Sequence, residues 1–362
     1  MDKTTHTHLT KLQNQLPKET LAAVLISSSE NRRYISGFTG SAGYLFITAE
    51  LALLYTDSRY TQQATKETSG FEIRQVEHSG WFGDLLEDLP SNSRIGYENR
   101  AMTVALFDQL NTFITVTNKR SRKSLSFSGL GGLLERLRSI KTPEEVVLIE
   151  QAAQIADKSY MDVTTDFEGG ISEKELAWRI EMAIHNYGGD GPSFPTIVAS
   201  GPNAALPHHQ PSDKLIGHNE PIVIDMGVRF QGYCSDMTRT LYIGSQDIHF
   251  RKIYDTVLAA QQTAIATVSI GMSGSQADSL ARTVIDDASY GSYFGHSLGH
   301  GIGILVHEYP TLSPKSDNIL ENNMIFTIEP GIYIEDWGGV RIEDMVLLEE
   351  TNVLILTKAP KL

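Results

Sequence analysis

The sequence of 362 residues predicts two domains, an N-terminal α/β unit followed by a larger α+β unit. Three observations carry that expectation. Strand-like and helix-like patterns alternate through roughly the first third of the chain. A Ser- and Gly-rich stretch at residues 124–132 then interrupts the alternation. The second half holds two apolar, hairpin-like segments, each carrying a pair of carboxylates. With 41% hydrophobic and 20% charged residues the composition is ordinary for a globular protein, and the chain is long enough to bury two cores.

Taken in order, residues 21–27 read as a buried strand, and residues 44–48 and 51–56 as two strands around a turn at Ala49-Glu50. Residues 59–68 have helical composition, residues 71–76 return to strand, and residues 81–88 are helical again. This alternation predicts a small mixed sheet covered by helices. The seam places the domains at residues 1–128 and 129–362. Beyond it, Thr142 is an N-cap, Pro143 suits the first helical position, and Glu145 stands at capping-box spacing. A second helix begins at Ser172, with Glu175 closing a similar box and Leu176, Ile180 and Ile184 along one face. After Gly188-Gly189 the pattern turns to strands and loops, with helices at about 250–268 and about 276–288. The two carboxylate hairpins are the hint of internal duplication.

Charge and cysteine usage exclude several functions. A formal charge of −14 argues against binding to nucleic acid or an anionic membrane. No apolar run near the start is long enough to span a bilayer, and the polar first 15 residues lack a signal core, so a cytoplasmic protein is expected. The single cysteine, Cys234, excludes an intrachain disulfide and is expected to be a small core residue.

The chemistry is concentrated in Asp225, Asp236, His300, Glu329 and Glu343. Asp225 and Asp236 lie eleven residues apart around a turn, and Glu329 and Glu343 repeat the arrangement fourteen apart. Carboxylates within apolar strands are costly to bury uncompensated, and two divalent cations would supply the missing charge. Four carboxylates and one imidazole form a hard, oxygen-rich donor set that favours Mn2+, with Co2+, Zn2+ or Fe2+ as alternatives. Two ions roughly 3.5–4 Å apart would acidify a bridging water and polarise a carbonyl, so the nucleophile is expected to be a hydroxide. Of eleven histidines, His6, His8, His78, His185, His218 and His249 read as surface or core residues. His208, His209, His296, His300 and His307 cluster near the proposed ligands in sequence, and glycines beside His300 are expected to let its backbone approach a ligand closely.

These residues resemble the pita-bread metallopeptidases, peptidase family M24, which include aminopeptidase P, prolidase and methionine aminopeptidase. The resemblance covers nearly the whole chain. It is carried by Phe194-Pro195-Thr196-Ile197-Val198-Ala199-Ser200-Gly201, Ile224-Asp225-Met226-Gly227, Ser235-Asp236-Met237-Thr238-Arg239-Thr240, Gly299-His300-Gly301-Ile302-Gly303, Thr327-Ile328-Glu329-Pro330-Gly331 and Val340-Arg341-Ile342-Glu343-Asp344. It implies a creatinase/prolidase-like N-terminal α/β domain and a pita-bread α+β catalytic domain. It also implies that Asp225, Asp236, His300, Glu329 and Glu343 bind two metals, with Glu329 handling protons as well. His208, His296 and His307 match histidines that contact substrate and stabilise the tetrahedral intermediate, Arg341 matches an arginine that orients a ligand, and Tyr333 joins this shell. Relatives form dimers through the N-terminal domain, so a homodimer is expected.

The N-terminal domain points to the branch acting on proline-containing peptides. Tyr34-Ile35-Ser36-Gly37-Phe38-Thr39-Gly40-Ser41-Ala42-Gly43 and Thr56-Asp57-Ser58-Arg59-Tyr60 look like the opening domain of cytosolic aminopeptidase P. Many prolidases place an arginine four residues after the last active-site histidine, where it suits a free carboxylate. This chain has Thr311 there, after His307-Glu308-Tyr309-Pro310. The expected activity is therefore an Xaa-Pro aminopeptidase, with Xaa-Pro dipeptidase as the alternative. A non-catalytic binding or scaffold protein of this fold would lack several ligands, and all five are here.

Overall fold

A computed structural model describes residues 3–76 and 81–362, so His78 lies outside the described residues. Its contacts divide the chain into two compact units, Met1–Arg138 and Ser139–Leu362.

The N-terminal unit is built on a sheet of six strands among the described residues, in the order Glu72–Gln75, Ala52–Thr56, Tyr44–Thr48, Ala23–Ile26, Arg94–Tyr97 and Ser126–Gly129. The central strand Ala23–Ile26 is buried throughout, antiparallel to Tyr44–Thr48 and parallel to Arg94–Tyr97. Sheet and helices meet over Phe46, Phe82, Leu85, Leu86, Ile95 and Leu110. The stretch expected to be a seam contains the edge strand Ser126–Gly129, paired in parallel with Arg94–Tyr97, and the division falls later, at Arg138/Ser139. Small polar residues suit an edge strand as well as a linker, and composition alone does not separate the two.

The C-terminal unit repeats one theme. Helices Pro143–Thr164 and Glu173–Asn186 pack through Tyr160, Leu176 and Ile180 on the hairpin of Pro221–Met226 and Met237–Tyr242. Helices Ile248–Thr267 and Gly274–Asp287 pack through Phe250, Val257 and Ala281 on Met324–Ile328 and its antiparallel partner Asp344–Leu348. The first helix starts as its sequence dictates: Thr142 and Glu145 form a reciprocal capping box, at 3.3 and 2.9 Å. At Ser172 only the hydroxyl half of the expected box is present, because the Glu175 side chain accepts from Arg179 at 2.6 Å instead. The later two helices begin two residues before their expected starts, at caps Asp247 and Ser273 that precede the apolar pattern. Between Val228–Phe230 and Tyr233–Cys234, Gln231 and Gly232 both adopt positive φ, 46° and 79°, as a tight hairpin turn requires.

Candidate metal centre

Asp225 lies in Pro221–Met226, directly opposite Thr238, and Asp236 immediately precedes the strand Met237–Tyr242. The second hairpin repeats this geometry. Ile328 pairs with Asp344, so Glu329, just after one strand, falls beside Glu343, just before the other. His300 occupies the middle of Gly299–Gly301, which pairs with Glu308–Leu312 on one side and Met324–Ile328 on the other. The flanking glycines answer to these neighbours: a side chain at Gly299 would strike the carbonyl of Thr327, and one at Gly301 that of Tyr309. Close strand packing, where a close ligand approach was expected, is what demands glycine here.

Ligand-type atoms of Asp236, His300 and Glu343 lie within 4.8 Å of one another. His300 Nε2 is 3.3 Å from Glu329 Oε1 and 3.6 Å from Asp236 Oδ2. Arg341 donates through Nη2 to Asp225 Oδ2 at 2.7 Å, through Nε to Thr238 Oγ1 at 3.0 Å and through Nη1 to Tyr333 OH at 2.8 Å. Thr238 in turn donates to Glu343 Oε2 at 2.7 Å, and Thr327 donates to Glu329 Oε1 at 3.0 Å.

Electrostatics here is dominated by burial. It pushes Asp236 and Glu343 well above the ordinary carboxylate range, and neighbouring carboxylates push both further. Asp225 is raised by burial too, against the pull of Arg341. Glu329 goes the other way: burial opposes it, but the hydrogen bond and charge of His300 hold it down at about 2. His300, depressed by burial, is raised overall by the same contact. Burial lowers His296 and His307 and favours their neutral forms, and in His307 the charge of His300 adds to the effect.

Divalent cations fit this set. Asp225 Oδ1 and Glu343 Oε1 are buried without a hydrogen-bond partner among the described residues, although buried carboxylate oxygens are normally satisfied. His300 Nδ1 lies 3.1 Å from the Gly301 carbonyl, which can only accept, so that nitrogen carries the proton. In the neutral ring Nε2 offers its lone pair between two carboxylates, where a cation would take the place of the proton that binds His300 to Glu329.

The remaining candidates lie around this centre. The ring of His307 sits 4.1 Å from that of His300, centroid to centroid. His296 Nδ1 donates to the Ser297 carbonyl at 2.8 Å, so in the neutral ring Nε2 accepts from Tyr333 OH at 2.9 Å. His208 is exposed, on the segment after Gly201–Ala205. His209 turns away and lies 2.9 Å from Glu173. Of the other histidines, His8 is buried against Tyr34 and His249 packs on Trp337. Cys234 is buried, with Sγ directed at the Ile304 carbonyl 3.5 Å away. Sequence pattern alone does not single out Thr238 and Thr327. A period-two signal was there, since each is two residues from a candidate ligand on an alternating strand.

Comparison with known proteins gives a consistent picture. Residues 147–350 match the sequence profile of metallopeptidase family M24, and residues 8–140 match the creatinase/prolidase N-terminal domain. The chain is 37% identical to an Xaa-Pro dipeptidase of Pyrococcus horikoshii over 352 residues, covering 97% of each. Among solved structures, an Xaa-Pro dipeptidase from Bacillus anthracis is similar with a TM-score of 0.91 and 35% identity, over 99% of each chain. An X-Pro aminopeptidase from Thermotoga maritima is similar with a TM-score of 0.88 and 36% identity, over 98% of each.

Proposed function

This chain belongs to metallopeptidase family M24, with the pita-bread catalytic fold behind a creatinase-type N-terminal domain, and from that premise we propose that it is an Xaa-Pro dipeptidase. It hydrolyses the bond between an N-terminal residue and a following proline, and it depends on two divalent ions. The observation that carries this is the convergence of four carboxylates and His300, with Asp225 Oδ1 and Glu343 Oε1 buried and unpartnered. Asp225, Asp236, His300, Glu329 and Glu343 hold the ions, and the oxygen-rich donor set favours Mn2+. When bound, such a pair makes water acidic enough to attack at neutral pH and polarises the scissile carbonyl. Glu329 takes the proton from the attacking water and passes it to the departing proline nitrogen. His307, kept neutral by burial, and His208 offer N–H groups to the developing oxyanion. Arg341 fixes the orientation of both Asp225 and Tyr333, and Tyr333 orients His296.

The relatives named as dipeptidases move the reading away from the aminopeptidase expected from Thr311. A specific observation still favours the longer-substrate activity as a second reading. Thr311 pairs directly with His300, so both side chains lie on one face of the strand pair, and this exposed, uncharged residue offers no counter-charge to a free carboxylate. Turnover of an Xaa-Pro dipeptide by manganese-loaded protein, compared with the same peptide extended by one residue, decides between them. Higher kcat/KM on the dipeptide is expected, and preference for the tripeptide would replace the assignment with Xaa-Pro aminopeptidase. The same reading makes the chain cytoplasmic, which suits its single, buried cysteine, and a homodimer, for which light scattering should give twice the mass of one chain.

A further inference from the structure

The segment bearing His208 is gathered around one buried carboxylate. Glu173, the first residue of Glu173–Asn186, has no exposed surface. Its Oε1 accepts from Ser200 N and Ser200 Oγ, both at 2.8 Å, and from Asn203 Nδ2 at 3.0 Å. Its Oε2 accepts from Ser212 N at 3.0 Å and Ser212 Oγ at 2.7 Å, and lies 2.9 Å from His209 Nε2. The donors therefore come from both ends of residues 200–212 and from two points between, one of them the neighbour of His208. A second set of bonds fastens the segment to the start of the same helix, from Glu173 N to Lys214 O at 3.1 Å and from Lys174 N to Ser212 O at 3.1 Å.

Helix capping does not account for this arrangement. The cap is already supplied by Ser172, which accepts from Glu175 N at 3.2 Å. A carboxylate with about four lone-pair sites that collects donors from Ser200, Asn203, His209 and Ser212 fixes the conformation of the segment joining them. That segment reaches the metal centre at Pro207, the residue before His208, whose carbonyl accepts from Arg341 Nη1 at 3.4 Å.

We propose that Glu173 is a positioning residue, which holds residues 200–212 so that His208 reaches the reacting carbonyl. It touches neither substrate nor metal and acts through His208. The proposal rests on the peptidase reading given above, in which His208 contacts the substrate.

A double-mutant cycle on the full-length, manganese-loaded protein tests it, comparing wild type, Glu173→Gln, His208→Ala and the combined variant on an Xaa-Pro dipeptide. The glutamine amide keeps the shape of the carboxylate but sets an NH2 group against the donors of Ser200 or Ser212. Glu173→Gln should leave metal content unchanged and lower kcat by about ten- to a hundredfold, the cost of displacing a catalytic group by about an ångström. In the His208→Ala background it should cost nothing further, because residues that act through one another are not additive. Losses that multiply would overturn the proposal. Where Glu173→Gln does not fold, His209→Ala removes a single donor and the same cycle is run with it. Hydrogen exchange of the metal-free protein gives a reading independent of turnover. Ser200 and Ser212 should exchange faster in Glu173→Gln while Pro221–Met226 and Met237–Tyr242 stay protected, and unchanged exchange at the serines would also refute the clamp. If wild-type protein cleaves no Xaa-Pro peptide, the peptidase reading fails, and with it the role given to His208, whereas the exchange measurement still decides whether Glu173 holds the segment.

Discussion

Asp236 and Glu343 set the charge balance of the centre. Asp225 has the Arg341 guanidinium and Glu329 has His300 at contact distance, whereas Glu343 is met by the hydroxyl of Thr238. Removing either Asp236 or Glu343 therefore removes affinity for cations directly. Asp236→Ala or Glu343→Ala should abolish both manganese binding, measured as ions per chain, and peptidase activity, and near-wild-type turnover in either variant would contradict the ligand assignment. His307→Ala should behave differently. Its ring lies beside His300 without being needed to compensate charge, so metal content should hold while kcat falls by about a hundredfold, in the range for loss of a positioned proton or hydrogen-bond donor. At this scale the candidate ligands are legible in sequence because the acids recur in two matched hairpin-like segments and His300 stands between glycines. Glu173 is not legible in this way. An acidic residue in the first turn of a helix is ordinary, and its partners Ser200, Asn203, His209 and Ser212 are supplied by tertiary structure alone.

Helix Glu173–Asn186 carries a measurable pH dependence through its first residue. Burial raises the proton affinity of Glu173, but hydrogen bonds from Ser212, Asn203, His209 and Ser200 outweigh it and bring the carboxyl to about 2, from an ordinary 4.5. A carboxylate depressed on folding contributes stability that is fully present above its unfolded value and is lost as pH falls through the folded one. The contribution of Glu173 should thus fade between about pH 4.5 and pH 2 and be constant above, at on the order of 3 kcal/mol. Urea denaturation of wild type and Glu173→Gln across this window should show the two curves converging as pH falls. A difference that stays constant down to pH 2 would mean that Glu173 is not held ionised by these donors. Elements such as Pro143–Thr164 can be read from sequence because cap and apolar face agree. Ser29–Ser36 cannot, since its buried positions include Asn31 and Arg32, which donate to Glu98 and to the carbonyls of Gly40 and Gly43. Val104–Ser121 hides for the opposite reason: Val104 and Val116 are exposed, while the buried side chains are only Leu110, Ile114 and Thr117.

The molecule as a whole divides its stability between units of different character. Met1–Arg138 rests on an apolar core between sheet and helices, whereas Ser139–Leu362 also encloses the carboxylate cluster, whose members raise one another's proton affinity. A ligand that binds only the folded state stabilises it by mass action, by about 2.7 kcal/mol at a hundredfold excess over Kd. Divalent ions bound between Asp225, Asp236, His300, Glu329 and Glu343 should therefore act on the second unit and leave the first alone. Calorimetry of manganese-loaded protein, before and after a chelator, should show the transition of Ser139–Leu362 falling by roughly 5 °C or more. The transition of Met1–Arg138 should stay in place, and readdition of manganese should restore the other. Chelation that moves neither transition would mean that buried carboxylates are accommodated by protonation alone, and the dinuclear reading of the site would fall with that result.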